Sequence, residues 1–193
     1  MTARCLAFPN MSINLSKFSN PEYSRGRSVL VEGMWHCVRL CLFLLPLPLP
    51  SVVRRVALRA FGATIGKAVI IRSGVDISMP WRLVIEDHVW IGADVTILSL
   101  ERVHIESNVC ISQQSFLCTG SHRFDSEAFD LVVKPIKIES GCWIAARCFI
   151  APGVTIGSDS FVTAQTVVSR SVPAGSKVSA GAADIHPLTS KLS

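Results

Sequence analysis

The sequence is poor in charge. Charged residues make up 17% of its 193 positions against 49% apolar, so much of the chain has to be buried. The net charge is only +5 and the Lys and Arg residues form no dense run, which argues against nucleic acid as a partner. Such mild basicity suits an anionic small molecule or a membrane surface. The seven cysteines include no CxxC pair. Cys37 and Cys41 are four apart and Cys142 and Cys148 six apart, and no Cys/His cluster has zinc spacing, so no metal site is expected. They read as reduced thiols in small core positions, which implies a cytosolic chain. Also missing is an apolar stretch long enough to span a bilayer, about 20 residues. The most apolar run, from Leu40 to Leu49, is broken by Pro46 and Pro48, lies far from the N-terminus and has no small-residue cleavage site. A chain of this length is expected to form one domain with a sizeable core.

What is present falls into four stretches. Residues 1–27 are polar and irregular, with Pro9, Pro21 and Gly26, and read as an extended arm. Residues 28–62 read as helical. A first helix is opened by Ser28 and stopped by Pro46; a second runs from a Ser51 cap to about Phe61, with Gly62 at its C-terminus. The second sets Arg54, Arg55 and Arg59 beside Val52, Val53, Val56 and Ala60. That pattern fits a cap over the open end of the next element, or a helix lying on an anionic inner leaflet. Residues 63–181 carry a repeat, and residues 182–193 form a tail.

In the repeat, aliphatic residues recur every six positions: Ile65, Ile71, Ile77; Ile85, Ile91, Ile97; Ile105, Ile111, Leu117; then Ile138, Ile144, Ile150, Ile156, Val162 and Val168. A small or β-branched residue often follows four positions later, as at Val69, Val89, Cys142 and Thr166. Six is neither the helical period nor simple alternation; it fits a short strand and a tight turn, repeated. Three such units make a triangular coil of about 18 residues, and stacked coils bury the aliphatic positions in one interior column. The period slips after Ile77 and after Ile97, where the step is 8, and after Leu117, where it is 21. The last slip ejects a loop at about residues 120–135, and loops leaving a rigid solenoid commonly carry function.

His122 sits where the coil opens into that loop, in the sequence TGSH. Transfer of an acyl group to a hydroxyl needs a base near neutrality, and histidine, with a reference pKa near 6.5, supplies one. Its second ring nitrogen should be oriented by a carbonyl or a carboxylate. His36, His88, His104 and His186 read as surface or helix residues without a catalytic part.

The stretches LRAFGATIGKAVIIRSGVDISMPWRLVIEDHVWIGADVTIL, CISQQSFLCTGSHRFD and CWIAARCFIAPGVTIGSDSFVTAQTVVSRSVPAG, with the upstream RGRS and the apolar helix, resemble the hexapeptide acyltransferases of the colanic acid biosynthesis type. The resemblance covers residues 18–181. It implies a left-handed parallel β-helix; the general rule for parallel crossovers favours the right hand, so the period alone does not give the left. It also implies acetyl-CoA as co-substrate, a saccharide acceptor that is free or lipid-linked, and a homotrimer with the cofactor in the groove between neighbours. The expected place of work is the cytoplasm or the cytoplasmic face of the inner membrane, at its periphery.

Carried over by position, His122 would be the base. Ser121, Asp125 and Asp94 would meet the acceptor, Asp94 standing near where sugar acetyltransferases place an asparagine. Trp143 would border the pantetheine arm. The Ala146 and Ala164 backbones would contact the cofactor from successive coils, and Ser169, Arg170 and Lys177 would lie near its phosphates. The basic C-terminal residues of that family are absent, with Asp184 where an arginine is common, and the carboxylate that pairs with the maltose-type histidine is replaced by Asp125 or Glu127. Other classes use the same repeat. A γ-type carbonic anhydrase needs three zinc histidines, two of them five apart, but Leu117 and Glu127 flank His122 at that spacing. An acetyltransferase for an antibiotic or for serine, and a non-catalytic scaffold subunit, remain as alternatives.

Overall fold

The computed structural model describes residues 13–45 and 47–180. From Thr64 the chain winds as a left-handed parallel β-helix of triangular section. Its first face stacks five short strands: Thr64–Ile65, Leu83–Ile85, Val103–Ile105, Ile136–Ile138 and Thr155–Ile156. The second stacks six, from Ile70–Ile71 through Trp90–Ile91, Cys110–Ile111, Trp143–Ile144 and Phe161–Val162 to Lys177–Val178. The third stacks five: Asp76–Ile77, Thr96–Leu98, Phe116–Cys118, Phe149–Ile150 and Val167–Val168. The register aligns the aliphatic residues coil on coil, Ile65 with Ile85 and Ile105, and Ile71 with Ile91 and Ile111. Every aliphatic position of the six-residue period, from Ile65 to Val168, is buried.

Two corners are tight and repeat identically. Between the first and second faces, Ala68, His88, Asn108, Gly141, Asp159 and Gly175 all have φ between 51° and 76°. Between the second and third faces, Gly74, Asp94, Gln114, Arg147 and Gln165 do the same. One left-handed residue per corner turns the chain, and its amide bonds the coil before, as in Asp94 N–H to Ser73 O at 3.2 Å. All three slips of the period fall at the remaining corner, between the third and first faces. It holds a 3-10 turn at Pro80–Arg82, then residues 99–102, then the long excursion after Cys118.

A ladder of acids ties the coils along the first face. Glu86, Glu106 and Glu139 each accept from the backbone amide and hydroxyl of a serine in the next coil, Ser107, Ser140 and Ser158. Lys137 bridges Glu106 and Glu139 and holds both carboxyls below their ordinary range. His104 joins this face through Glu86 at 3.0 Å, whereas His88 is exposed at its corner and His36 on its helix.

The helical segment closes the open end of the prism. Helix α1 spans Val29–Arg39, is capped by the Ser28 hydroxyl, and runs on into one wide π turn at Leu40–Leu44. Trp35 is buried against Phe43 and Phe61 and donates its indole N–H to Ile77 O at 2.9 Å. Helix α2 spans Ser51–Ala60 and ends at Gly62, whose φ is +95°. Ser51 does not cap it. Pro50 stands at the cap position, and the Ser51 hydroxyl instead accepts from the Ile71 amide and donates to Val69 O, tying the helix start to the first coil.

The reading of α2 as a basic face laid on a leaflet is overturned, because the helix is mounted the other way round. Arg54 is only 3% exposed, and its guanidinium donates to the carbonyls of Leu42, Leu47, Leu49 and Ile71. Arg59 donates to Ile65 O and Gly66 O. These carbonyls line the end of the solenoid and the π turn, where no further strand arrives to take them. Val52 and Val56 face outward instead, 49% and 57% exposed. The Pro46 stop, the first 12 residues and the tail with Asp184 and His186 lie outside the described residues. No helix among the described residues is long and apolar enough to cross a membrane.

Arg54→Met nearly keeps the volume of the side chain and takes the guanidinium donors from Leu42, Leu49 and Ile71, while Leu47 O keeps the Leu49 amide. Thermal or denaturant unfolding should show a loss of about 3 kcal/mol, the scale of a few unmet buried acceptors. A loss below about 0.5 kcal/mol would mean that the carbonyls find water and that Arg54 is not the plug of this end.

Candidate active site

The excursion after Cys118 is an antiparallel hairpin in an otherwise parallel fold. Gly120–His122 pairs with Leu131–Val133, with Gly120 opposite Val133 and His122 opposite Leu131. Gly120 lets the hairpin leave close to the prism, since a Cβ there would come within 2.7 Å of the Leu100 side chain. Beyond the strands, the Arg123 amide donates to Asp130 O at 2.9 Å, and the Ser126 hydroxyl donates to the Asp130 carboxylate at 2.7 Å.

The His122 ring is held on three sides. Its Nδ1 lies 2.8 Å from the carbonyl oxygen of Phe129, which can only accept, so Nδ1 carries the hydrogen and Nε2 is left with its lone pair. The Phe129 ring stacks on the imidazole, centroids 4.2 Å apart and planes within 2°. Phe129 reaches this position with φ at +52°, a strained value for an aromatic residue. The third side is Phe18, from the N-terminal arm, with ring centroids 5.6 Å apart. The arm is fastened to the hairpin by the Asn14 amide on Glu127 O, by Lys17 on the Glu127 carboxylate at 2.8 Å, and by Asn20 on the Leu131 amide. A short 3-10 turn at Leu15–Lys17 interrupts the extended course of this arm.

Neither acid expected beside His122 is there. Asp125 accepts from the Nε and one Nη of Arg123, at 3.0 and 2.9 Å, which holds its carboxyl below the ordinary range. Glu127 is spent on Lys17. A backbone carbonyl orients the imidazole in their place, which is why no residue type in the sequence announced it. Phe18 and Phe129 were likewise missed; a phenylalanine on each side of a loop histidine carries no pattern of its own.

The remaining residues divide between the two edges of the third face. Ser121, exposed on the hairpin, stands with His122 at the corner that follows this face, and exposed Ser169 and Arg170 occupy the same corner two coils on. At the opposite edge, Asp94 lies in the column of left-handed corner residues, its carboxylate against Gly74. Ala146 and Ala164 share that edge in adjacent coils, where the Gln165 amide donates to Ala146 O at 2.9 Å. Among the described residues, neither alanine's own amide has a hydrogen-bond partner. Trp143 lies just before them on the second face, half exposed, packed at a tilt against Phe161 with ring centroids 4.6 Å apart and donating to the Ser112 hydroxyl. Lys177 pairs in register with Phe161, so it continues that outward row. One chain therefore does not bring His122 together with Asp94, Trp143, Ala146 and Ala164. The second and third faces that meet at their edge are apolar outside, with Trp90, Trp143 and Val167 exposed, while the first face is the ionic one.

The sequence matches the family model described as bacterial transferase hexapeptide (six repeats) over residues 135–170. It is 42% identical over 164 residues to WcaF of Escherichia coli K12, a protein assigned as a colanic acid biosynthesis acetyltransferase, covering 83% of this chain and 88% of that one. It is 28% identical over 129 residues to the galactoside O-acetyltransferase of the same organism, covering 64% of each. Its fold overlays a hexapeptide-repeat acetyltransferase of Vibrio cholerae O1 biovar eltor, crystallised with acetyl coenzyme A, with a TM-score of 0.71 and 26% identity, over 78% of this chain and 82% of the other. A repeat that builds this prism, a loop histidine with one nitrogen locked, and relatives that match along most of the chain agree: the protein belongs to the family of hexapeptide-repeat acetyltransferases that includes WcaF.

Proposed function

We propose that this chain transfers an acetyl group from acetyl-CoA to a hydroxyl of a saccharide, a precursor of an exopolysaccharide, with His122 as the general base. The observation that carries this reading is the Nδ1–H of His122 fixed on the Phe129 carbonyl. It sets the neutral tautomer whose Nε2 can take a proton, and it steadies the imidazolium that forms. The two flanking phenyl rings hold the ring plane. The names of the relatives, colanic acid and galactoside acetyltransferases, support a sugar acceptor.

The residues at the opposite edge suit the cofactor. The unpartnered amides of Ala146 and Ala164 are hydrogen-bond donors one coil apart, and Trp143 on Phe161 offers an apolar wall. Lys177, on the outward row of the second face, and Arg170, at the corner of the third face that also carries the hairpin, are exposed cations for phosphates. Acetyl-CoA bound there supplies the activated acyl group as a thioester. Its oxyanion needs a donor at the moment of attack, and a free backbone amide is the kind of group that serves.

These two half-sites lie across one face of the prism, so a complete site needs two chains. A homotrimer of parallel prisms, packed through the apolar second and third faces, would set the hairpin of one chain beside the edge of the next. Asp94 then faces the acceptor from the neighbour, with Ser121 and Asp125 on the hairpin side. The work takes place in the cytoplasm, where acetyl-CoA is available and the cysteines stay reduced, on an acceptor held at the inner face of the membrane.

His122→Ala should leave folding and acetyl-CoA affinity unchanged and lower turnover by about 10²–10⁴-fold, the usual size for a lost general base. Full turnover in this variant would sink the mechanism. Asp125→Asn and Glu127→Gln should keep kcat within about threefold, because the orienting group is a carbonyl; a hundredfold loss in either would return that role to a carboxylate. Sedimentation of the whole chain should give a trimer at micromolar concentration, and a monomer would contradict the shared site.

A further inference from the structure

The N-terminal arm does more than brace the hairpin. Two residues beyond Phe18 it makes a tight turn, with the Tyr23 amide on Asn20 O at 3.2 Å and Pro21 fixing the backbone at the turn's second position. A pocket of about 430 Å³ lies between this turn and the outer strand of the hairpin. That volume falls inside the range of roughly 300–1,000 Å³ usual for small-ligand sites. Asn20, Glu22 and Tyr23 line the pocket from the arm, and Asp130, Leu131 and Val133 from the hairpin. Side chains alternate along a strand, so Leu131 and Val133 stand on the same side of the hairpin as His122, and Val132 on the other. The pocket takes the first two and not Val132, which puts it on the side of the imidazole. Leu131 is directly opposite His122, with Cα atoms about 4.5 Å apart in a pair of this kind.

The pocket offers both donors and acceptors. Asn20 turns its Oδ1 to the Leu131 amide, which leaves its Nδ2 hydrogens with no acceptor among the described residues. The Glu22 carboxylate has no hydrogen bond or ion pair among them either. Arg123 with Asp130 and Lys134 with Thr119 are bonded pairs of the hairpin ladder, so the alternate residues Leu131 and Val133 turn their backbone groups away from the partner strand. Asn20 meets one of these groups; the Val133 N–H and the Leu131 C=O meet none among the described residues. Tyr23 is held as a wall, its hydroxyl donating to Leu100 O at 3.1 Å and Arg82 lying over its ring at 5.4 Å. This lining suits a pyranose, whose hydroxyls each donate and accept and whose C–H face packs on apolar surface. Two acids and no base line the pocket. Cations on the surrounding segments are engaged: Arg123 with Asp125, Lys17 with Glu127, and Arg82 with Glu101 and the Leu100 carbonyl. A uronate placed beside Glu22 and Asp130 would meet like charge.

We propose that this pocket seats the sugar unit next to the one that is acetylated. The acceptor is then an oligosaccharide rather than a single sugar, and the unit beside the reacting one is neutral. The reacting hydroxyl stands at His122 Nε2, and the neighbouring unit reaches across Leu131 to the Asn20 amide and the Glu22 carboxylate. The inference rests on the acetyltransferase reading and adds to it the size and charge of the acceptor. A monosaccharide held at the imidazole would leave the Asn20 Nδ2, the Glu22 carboxylate and the Val133 N–H unmet.

Acetyl transfer from acetyl-CoA by the whole chain, measured over a panel of free sugars, tests this. The panel holds glucose, galactose, lactose, maltose, cellobiose and gentiobiose, with cellobiouronic acid as the charged counterpart of cellobiose. The best neutral disaccharide should have a KM about tenfold below those of its own monosaccharides at similar kcat, the scale of one or two added hydrogen bonds. Cellobiouronic acid should fall below cellobiose by about tenfold in kcat/KM. Glu22 is exposed and unpaired, so replacing it leaves the fold intact. Glu22→Ala should raise the disaccharide KM about tenfold without lowering kcat, and Glu22→Gln should narrow the gap between cellobiose and cellobiouronic acid. The proposal is overturned if monosaccharides and disaccharides share one kcat/KM, if cellobiouronic acid matches cellobiose, or if Glu22→Ala leaves the disaccharide KM where it was. In each of these cases sugars are still acetylated, so only the pocket's role is wrong. If no sugar accepts acetyl while calorimetry shows acetyl-CoA bound, the sugar acceptor itself falls, and the proposal with it.

Discussion

The aliphatic column inside the prism, from Ile65 to Val168, dictates where everything else can be. Each coil must return its three interior residues to the same axial positions, because the strands bond one coil to the next in strict register. The two tight corners leave no slack. Each is a single left-handed residue bonded to the coil before, and an inserted residue there would move a whole strand's apolar set out of the core. Only the third corner takes extra residues, and it takes all of them: the turn at Pro80–Arg82, residues 99–102, and the hairpin with His122. The place of the hairpin is thus a consequence of the packing.

The same constraint separates the two halves of the site. The hairpin leaves at one edge of the third face, and the stacked alanines Ala146 and Ala164 lie at the other. The first face is tied coil to coil by its ladder of Glu86, Glu106 and Glu139, whereas the outward rows through Trp143 and Val167 are left uncovered. Association through those rows would both bury them and join the halves. The proposed base His122 meanwhile depends on a segment far away in sequence, since Phe18 and Lys17 brace the hairpin from the N-terminal arm.

The interior was legible in the sequence because burial leaves a period, and a period of six has few geometric solutions. The position of the hairpin that carries His122 was legible because it stands at the largest slip of that period. What the sequence hid was anything carried by the backbone or by direction. The Phe129 carbonyl that orients His122 has no residue type, so the search for a carboxylate settled on Asp125 and Glu127, which Arg123 and Lys17 claim. In α2 the pattern of arginines and valines was plain, but amphipathicity does not say which side is inside. The carbonyls at the open end of the solenoid draw Arg54 and Arg59 inward and turn the valines out. Ser51 fits a capping rule as written, and tertiary contact with Ile71 overrode it.

The central claim is that the base of one chain serves the cofactor edge of another, and subunit complementation measures it most directly. His122→Ala keeps its cofactor edge and Ala164→Trp keeps its base; each assembled alone should be inactive. Unfolded together in equal amounts and refolded, they should recover about a quarter of wild-type activity, the share of interfaces at which a good hairpin meets a good edge in a randomly mixed cyclic trimer. Activity no higher than that of the separate variants would place the whole site within one chain and contradict the account.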